Sequence, residues 1–385
     1  MHIGIDARMY GIKHRGIGRY TECLISHLAK LDDDNRYTLF MLPEEINNLN
    51  LDTGKFKAVK ADVRWYTLKE HLIMPKIIKQ SGVDLMHWTH LNASYWCPVP
   101  YIVTIHDLIV FHFPDTRSSN LPKWKFKIKV KGYDMVLKNA INKARHIIAV
   151  SEFTKRDIMR HLSVDEQKIS VTQLGIDKML LGTNVLRNTP QFDQYLFDKF
   201  KIHKQYVVYV GSAYPHKNLE KLVNAFALTR LKYKRNWQLV LVGRIDEFYK
   251  RLQTYVNENV KGDNIKKDII FTGQISDKEL DGVYRGAKLL AYPSLYEGFG
   301  LPALEAASRG IPVVCASSSS LPEVMADAAY YFNPKDINHM ASVLDLVGGS
   351  HKIQDEIAKK GLARSQQFSW QRTAQETLAV YNSLR

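Results

Sequence analysis

Two glutamates eight residues apart frame a glycine-rich segment that could bind a sugar diphosphate. Glu297 and Glu305 flank Gly-Phe-Gly-Leu-Pro at residues 298–302. Proline suits the first turn of a helix, so we predict a helix that begins near Leu301. The backbone N–H groups of Gly300 and Leu301 would then face an anion. A phosphate there would place Glu305 near ribose hydroxyls and Glu297 near a sugar, although an acid near a helix start is also simply stabilising.

A second candidate site follows a predicted strand at Tyr206–Val210. The strand leads through Gly211 and Ser212 to His216 and Lys217, directly before a predicted helix at Leu219–Leu231. A lysine beside free helix N–H groups favours diphosphate binding. A solvated lysine at a helix entrance is the simpler alternative.

A pair of glycines follows the first predicted strand. Gly16 and Gly18 precede a helical pattern and would let the backbone approach a ligand closely. The third glycine of a dinucleotide fingerprint is replaced by Thr21, which weakens an oxidoreductase interpretation. Glu44 and Glu45 do follow the second strand, so that interpretation stays open on these residues alone.

A histidine stands at the end of another predicted strand. His106 follows Tyr101–Ile105 and could donate a hydrogen bond to a sugar or an oxyanion. His87, His90 and His112 are equally available on sequence grounds.

Short apolar runs alternate with amphipathic stretches along the chain, which predicts parallel sheets covered by helices on both faces. In such folds ligands bind beyond the carboxyl ends of the strands. The predicted strands are Ile3–Asp6, Tyr37–Leu42, Leu85–His87, Tyr101–Ile105, His146–Val150, Tyr206–Val210, Gln238–Val242, Ile269–Phe271, Leu289–Ala291 and Pro312–Cys315.

The alternation pauses between Gly175 and Lys204, where we place a domain boundary near residue 187. We therefore expect two α/β domains, 1–187 and 188–370, that face a central cleft. A last amphipathic helix, at about 371–385, is assigned to the first domain, although its pattern would suit packing on either.

Charge and composition limit the classes of partner that this chain could bind. The 385 residues carry a net charge of +15, and residues 117–160 hold 12 basic against 3 acidic side chains, with Lys123–Lys131 the densest part. Such a surface favours anionic partners, including an anionic membrane. Nucleic acid would suit the charge too, but no recognition motif is present. The three cysteines show no disulfide or metal spacing, and no signal peptide or spanning segment is evident. We therefore expect a cytoplasmic protein that can attach peripherally to the inner face of the plasma membrane.

The sequence resembles the family 4 glycosyltransferases, which have the GT-B fold of two Rossmann-like domains, over nearly its whole length. Residues 297–305 look like that family's E-x7-E signature, and the other shared motifs fall in the family's order. These are Gly16-Ile17-Gly18, Ile105-His106-Asp107, Val150-Ser151-Glu152-Phe153-Thr154, Lys217-Asn218 and Phe271-Thr272-Gly273-Gln274-Ile275-Ser276.

The resemblance implies a role for each matched position. In the second domain Glu305 would bind the donor ribose, Glu297 the transferred sugar, and Lys217 the diphosphate. The backbone of Phe299, Gly300 and Leu301 would face sugar and phosphate, and that around Ile275 the base. In the first domain Gly16, with Gly18, would approach the diphosphate, and His106 would lie beside the donor sugar near the reacting centre.

One position departs from the pattern. Many relatives carry arginine directly after the glycine that ends the strand before Lys217, where this chain has Ser212. His216 or Arg244 would have to compensate, or fewer charges would hold the diphosphate.

No catalytic nucleophile is evident, so the resemblance implies retention by front-face attack, with the leaving phosphate accepting the acceptor's proton. No Asp-x-Asp metal triplet appears, and Asp32-Asp33-Asp34 is interpreted as a solvated acidic turn. We therefore expect no obligatory metal or cofactor.

The donor is assigned by similarity to mannosyltransferases of the family at Gly4–Arg8, Thr104–Leu108 and Tyr209–Gly211, which favours GDP-mannose. The expected acceptor is a glycan or a lipid-linked glycan of cell-envelope polysaccharide synthesis. A UDP-sugar donor, an epimerase or phosphorylase on the same fold, and a degenerate non-enzymatic partner subunit remain alternatives. The intact Glu297 and Glu305 speak against the last.

Overall fold

The structure is a computed structural model that describes residues 1–11, 15–47, 49, 51, 54–113, 123–176 and 190–385. The chain divides into two compact units. Unit 1 comprises Met1–Gly175 and Ser369–Arg385, and unit 2 comprises Ile176–Phe368. The predicted boundary near residue 187 lies outside the described residues.

Unit 1 is built on a seven-stranded sheet in which all neighbouring strands are parallel, in the order β3-β2-β1-β4-β5-β6-β7. The central strands are buried along nearly their whole length, as expected for a sheet covered on both faces. The strands are β1 (His2–Asp6), β2 (Arg36–Met41), β3 (Phe56–Lys60), β4 (Leu85–Trp88), β5 (Tyr101–Ile105), β6 (His146–Ala149) and β7 (Ile169–Val171).

Seven helices belong to the described part of unit 1: α1 (Arg15–Leu31), α2 (Pro43–Ile46), α3 (Leu68–Ser81), α4 (Ile109–His112), α5 (Lys123–Lys143), α6 (Glu152–His161) and the C-terminal α16 (Trp370–Ser383). Helix α16 packs on α1. The Thr373 hydroxyl donates to the Gln173 carbonyl at 2.7 Å. A Cβ on Gly175 would lie 2.0 Å from the Trp370 nitrogen, so only glycine permits this approach.

Unit 2 has a six-stranded parallel sheet in the order β10-β9-β8-β11-β12-β13. Its strands are β8 (Tyr206–Val210), β9 (Gln238–Val242), β10 (Ile269–Gly273), β11 (Leu289–Tyr292), β12 (Val313–Ala316) and β13 (Tyr330–Phe332). Its helices are α7 (Pro190–Phe200), α8 (Leu219–Lys232), α9 (Glu247–Asn259), α10 (Asp263–Lys267), α11 (Asp277–Gly286), α12 (Leu301–Ala307), α13 (Leu321–Met325), α14 (Ile337–Gly349) and α15 (His351–Ser365).

All ten predicted strands are present within two residues of their expected ends, and the prediction of parallel α/β domains is confirmed. The three strands that the sequence pattern missed, β3, β7 and β13, each lie at the edge of a sheet. Within the described ranges, no helix is both long enough and apolar enough to cross a bilayer.

The prediction that Asp32-Asp33-Asp34 forms a solvated acidic turn is wrong for its first residue. Asp32 is not solvated: it is 3% exposed and accepts hydrogen bonds from the Tyr37 hydroxyl and the Asn35 side chain. Asp33 and Asp34 are exposed, as expected. Asp32 therefore ties the turn after α1 to β2.

Candidate active site

The carboxyl edge of the unit 2 sheet gathers most of the predicted donor-binding residues. Strands β8, β11 and β12 are neighbours and run parallel, so the loops that follow them emerge together. The Leu295 N–H donates to the His216 carbonyl at 2.8 Å, and the Asn218 amide donates to the Pro293 carbonyl at 3.2 Å. These bonds join the loop after β8 to the loop after β11.

Lys217 and Glu297 meet where these loops join. The Lys217 Nζ lies 2.6 Å from the Glu297 Oε1, with side chains 14% and 9% exposed. The ammonium also lies 5.8 Å from the centroid of the Tyr292 ring. The sequence placed these two groups at the same ligand but did not predict that they would pair with each other.

The charge state of Glu297 follows from this pairing. Burial alone would raise the pKa of Glu297, but the charge and hydrogen bond of Lys217, supported by Ser294 and His216, hold that pKa below its ordinary value. Glu297 is therefore an ionised acceptor at neutral pH. An ionised, tethered carboxylate suits hydrogen bonding to sugar hydroxyls better than proton donation.

Two serines after β12 hold the Glu297 backbone. The Glu297 N–H donates to the Ser319 hydroxyl at 2.9 Å, and the Ser320 hydroxyl donates to the Glu297 carbonyl at 3.0 Å. Ser319 adopts a left-handed conformation with φ of 55°, which turns the chain at this contact. Sequence reasoning missed these residues, although the run of four serines at 317–320 directly after an apolar strand was a visible signal.

Helix α12 begins as the proline predicted. Gly300 precedes it in a left-handed conformation with φ of 97°, and a Cβ there would lie 2.6 Å from the Leu321 side chain. Both the conformation and the space require glycine. Phe299 is buried and packs edge-on against Phe368, with centroids 5.7 Å apart, so its ring anchors the turn while Leu301 opens the helix.

Glu305 lies in the second turn of α12 and is half-buried. The Tyr284 hydroxyl donates to the Glu305 Oε2 at 3.2 Å. The Glu305 carbonyl accepts from Arg309, whose Nε also lies 2.8 Å from Asp281. Tyr284, a positioning contact that the sequence did not indicate, orients the carboxylate from α11.

The residues predicted to supplement Lys217 at the diphosphate differ in the charge and the hydrogen bonds that they can provide. Burial, and secondly the charge of Lys217, lowers the pKa of His216 to about 4, so its imidazole is neutral near pH 7. It can offer a hydrogen bond but no charge. Ser212 accepts a hydrogen bond at its carbonyl from the Tyr209 hydroxyl at 2.7 Å. Arg244 is exposed in the loop after β9, beside the loop after β8, and Ile275 is half-buried between β10 and α11.

In unit 1, His106 follows β5 at the carboxyl edge of the sheet. Its Nε2–H donates to the Thr89 carbonyl at 3.0 Å, and its ring stands edge-on to Tyr20, with centroids 4.8 Å apart. Burial lowers the pKa of His106 to about 4. The ring is therefore neutral, and the bond to Thr89 fixes its tautomer and leaves Nδ1 as the acceptor.

The three alternative histidines, His87, His90 and His112, lie in different surroundings. His87 is fully buried between the Tyr381 and Thr104 hydroxyls, at 2.6 and 2.8 Å, and ties α16 to the sheet. His112 contacts Asp157 instead. His90 stacks on His106 with centroids 6.1 Å apart and contacts the Tyr66 hydroxyl. His90 therefore contacts His106 directly, and His87 lies near enough to interact with it electrostatically.

Gly16 and Gly18 do not form the loop that the sequence suggested. They lie in the first turn of α1, which begins at Arg15. Gly16 is exposed, and a Cβ built on it meets no described atom within 4 Å, whereas Gly18 is buried.

Comparison with known proteins gives a consistent result. Residues 196–364 match the family model described as Glycosyl transferases group 1, and residues 14–179 match that described as Glycosyltransferase Family 4. The chain is 26% identical over 388 residues to the O-antigen chain mannosyltransferase B of Escherichia coli, covering 96% of each protein. It is 25% identical to the serotype-specific mannosyltransferase WbdA of Escherichia coli, covering 100% of this chain and 48% of WbdA.

Solved structures agree on the fold. The sucrose-phosphate synthase of Thermosynechococcus elongatus superposes with a TM-score of 0.75 at 19% identity, covering 100% of this chain and 99% of that one. Anabaena HepE in complex with UDP and glucose superposes with a TM-score of 0.71 at 18% identity, covering 99% of each.

Two parallel α/β units with these structural matches define the GT-B fold, and the two family models identify a glycosyltransferase. Within that class, the two family models and the relatives place the chain in glycosyltransferase family 4. The family resemblance read from the sequence is confirmed.

Proposed function

We propose that this glycosyltransferase moves a mannosyl residue from a nucleotide-diphosphate donor, GDP-mannose first, to a glycan or lipid-linked acceptor in cell-envelope polysaccharide synthesis. The sugar assignment is supported by the E. coli relatives, which are both named mannosyltransferases. The name of one, an O-antigen chain enzyme, supports a polysaccharide acceptor.

The observation that carries the proposal is the buried pair of Lys217 and Glu297 next to the start of α12. In the proposed complex Lys217 donates to the diphosphate and Glu297 accepts from the sugar hydroxyls. The helix start at Gly300 and Leu301, with Phe299, presents backbone to sugar and phosphate. Glu305, oriented by Tyr284, accepts from the ribose.

The remaining predicted residues complete the proposed donor site. The backbone at Ile275 contacts the base, while Ser212, His216 and Arg244 supplement Lys217 at the diphosphate. From unit 1, Gly16 and Gly18 offer the first turn of α1 to the phosphates, and His106 contacts the donor sugar through Nδ1. Each of these roles rests on the family pattern.

We propose transfer with retention by front-face attack. Glu297 is ionised but bound to Lys217 and held through its backbone by two serines, which suits a sugar ligand rather than a mobile nucleophile. The leaving phosphate would accept the acceptor's proton, and the protein would stabilise charge and orient the sugar. Neither step needs a metal, so EDTA should leave transfer intact. Loss of activity that Mg²⁺ restores would overturn this part.

The donor is tested by calorimetric titration with GDP-mannose, GDP, UDP-glucose, UDP and ADP-glucose, followed by transfer assays and NMR of the anomeric proton of the product. We expect binding and transfer with GDP-mannose, and an α-linked product from the α-linked donor. Transfer of another sugar would overturn the mannosyl assignment, and a β-linked product the retention. Absence of binding to every nucleotide would favour the non-enzymatic alternative.

A UDP-sugar donor is the second candidate, because a structural neighbour was solved with UDP and glucose. The same titration separates the two, since both nucleotides are compared on one preparation. Tighter binding of UDP-glucose than of GDP-mannose would establish the second candidate.

We further propose that unit 1 docks on anionic membranes. The predicted segment Lys123–Lys131 forms the start of α5, although its side chains lie outside the description. A described surface supports docking independently. Helix α3 exposes Leu68, Leu72 and Ile73 at 84%, 58% and 39% beside exposed lysines at 69, 76 and 79. Apolar side chains rimmed by lysines suit the headgroup region of an anionic bilayer.

Co-sedimentation with vesicles of phosphatidylcholine alone or mixed with phosphatidylglycerol tests the docking. We expect binding only to the anionic vesicles, weakened in L68S/L72S. The control L346S removes a leucine that is 47% exposed in unit 2 and should bind like wild type. Equal binding to both vesicle types, or no binding, would contradict the proposal.

A further inference from the structure

A cluster of two histidines and an aspartate lies in unit 1, outside the proposed donor site. His112 ends α4, while Asp157 and His161 lie four residues apart on α6 and therefore share one face of that helix. The ligand atoms of the three side chains all lie within 4.8 Å of one another.

The geometry converges on the carboxylate. The His112 Nε2 lies 2.8 Å from the Asp157 Oδ2, and the His161 Nε2 lies 3.4 Å from the Asp157 Oδ1. The Asp157 side chain is 2% exposed, whereas those of His112 and His161 are 29% and 34% exposed. A buried carboxylate therefore stands behind two imidazoles that solvent can reach.

These spacings are close to those of a zinc centre. With Zn–N and Zn–O bonds of about 2.0–2.2 Å, tetrahedral ligand atoms stand about 3.3 Å apart. The two histidine–aspartate distances lie within about 0.5 Å of that value, and the ligand nitrogens of the two imidazoles lie within 4.8 Å of each other. Three protein ligands leave a fourth, solvent-facing position, and a set of two imidazoles and one carboxylate suits Zn²⁺ better than Mg²⁺ or Ca²⁺, which prefer all-oxygen sites.

Two basic side chains of α6 make contacts of their own near this cluster. Lys155 pairs with Glu166 at 3.0 Å, and the Arg156 Nε donates to the Glu152 carbonyl at 3.3 Å. The Phe111 ring stacks on His161 with an interplanar angle of 2° and fixes the plane of that imidazole.

We propose that His112, Asp157 and His161 bind one Zn²⁺ ion. Each imidazole would bind the metal through the lone pair of Nε2 with its proton on Nδ1, and the ion would link α4 to α6. Because α4 begins three residues after His106, the ion would fix the segment that follows β5. The site is separate from the donor-binding residues of unit 2, so the proposal stands whether or not the donor assignment is correct.

The test uses tag-free, full-length protein that has been stripped with a chelator and dialysed. Zn²⁺ is titrated in competition with a chromophoric indicator, and thermal unfolding is followed with and without Zn²⁺. Wild type should bind one Zn²⁺ per chain and melt at a higher temperature when loaded. H161Q should weaken binding by about tenfold or more, since even outer partners of a metal site contribute tenfold to hundredfold.

D157N provides a second, more severe variant, and H161Q keeps the test decisive if D157N does not fold. The control H351Q removes an exposed histidine of unit 2 and should bind Zn²⁺ like wild type. Co²⁺ bound to wild type should show the visible absorption of tetrahedral coordination, which H161Q should lose. Failure of wild type to bind Zn²⁺, or binding unchanged in H161Q, would overturn the proposal and leave an ordinary histidine–aspartate contact.

Discussion

The carboxyl edges of the two sheets carry different kinds of polar side chain. In unit 2 the edge holds a charged pair, Lys217 and Glu297, of which 14% and 9% of the side chains remain exposed. In unit 1 the corresponding edge holds the rings of His90 and His106, which burial keeps neutral. The charged residues at the end of β1 differ again, because Arg8 is wholly buried between Asp6 and Glu70.

The difference in exposure distinguishes charged groups that stabilise the fold from charged groups that a ligand could contact. The Arg8 guanidinium already has its hydrogen bonds satisfied, with Asp6, Glu70 and the Val63 carbonyl as acceptors. Lys217 pairs with Glu297 and keeps partial solvent access, so an arriving diphosphate could share its charge. We infer that unit 2 binds the charged half of the donor, while the neutral histidines of unit 1 can contribute hydrogen bonds without adding charge.

The largest expected effect is that of Lys217→Ala. It removes the cation from the proposed diphosphate site and leaves Glu297 as a buried, unpaired carboxylate. We expect kcat/KM to fall about a hundredfold, in line with the loss of one charge-assisted contact. Lys232→Ala, which removes an exposed lysine at the end of α8, is the control. Wild-type transfer and donor binding in Lys217→Ala would remove the functional distinction between the two edges.

The next prediction concerns the neutral histidines of unit 1. Burial, and secondly the nearby His106, lowers the pKa of His87 to about 3, against a small opposing effect of Asp6. The unfolded chain therefore binds a proton near pH 6.5 that the folded chain rejects, so stability falls as the pH decreases. Between pH 7.5 and pH 5 this one residue should cost about 2 kcal/mol in the free energy of unfolding.

Urea unfolding at both pH values should show a larger loss in wild type, to which the buried His90, His106 and His216 also contribute, and a loss smaller by about 2 kcal/mol in His87→Gln. The control His203→Gln changes an exposed histidine of unit 2 and should retain the wild-type pH dependence. An identical pH dependence in His87→Gln and wild type would contradict a neutral, buried His87.

A smaller effect is expected from Glu305→Ala. We expect about tenfold weaker nucleotide binding, because one carboxylate contact to the ribose is lost. Calorimetry with the nucleoside diphosphate alone isolates this contact to the ribose, since the transferred sugar is absent. Glu323→Ala, another acid early in a helix of unit 2, is the control. Unchanged nucleotide affinity in Glu305→Ala would mean that this acid only stabilises its helix.

The sequence predicted the interior of the fold better than its margins. Central strands such as β5 and β8 are fully or almost fully buried, and their continuous apolar runs gave their bounds to the residue. The three missed edge strands, unlike β10, are short or carry exposed charges, as β3 does with Lys57 and Lys60. Their residues therefore lack the apolar run by which the central strands were found.

The candidate site was predictable where a residue acts through its own type and spacing. Glu297, Glu305 and the helix start at Gly300 stood out for that reason. The contacts that hold them did not, because Ser319 and Tyr284 lie 22 and 21 residues from their partners and are brought near only by the sheet order. The pairing of Lys217 with Glu297, 80 residues apart, has the same origin.

The smallest expected effect tests whether unit 1 contributes through its backbone. Gly16→Ala adds one methyl group in the first turn of α1, where it meets no described atom, and alanine favours a helix more than glycine does. We therefore expect the protein to be as stable as wild type or slightly more so. If a diphosphate approaches this turn, the methyl group should still weaken donor binding by about threefold to tenfold, a steric cost on the order of 1 kcal/mol. Gly132→Ala, at an exposed glycine within α5, is the matched control. Full donor affinity in a well-folded Gly16→Ala would assign diphosphate binding to unit 2 alone.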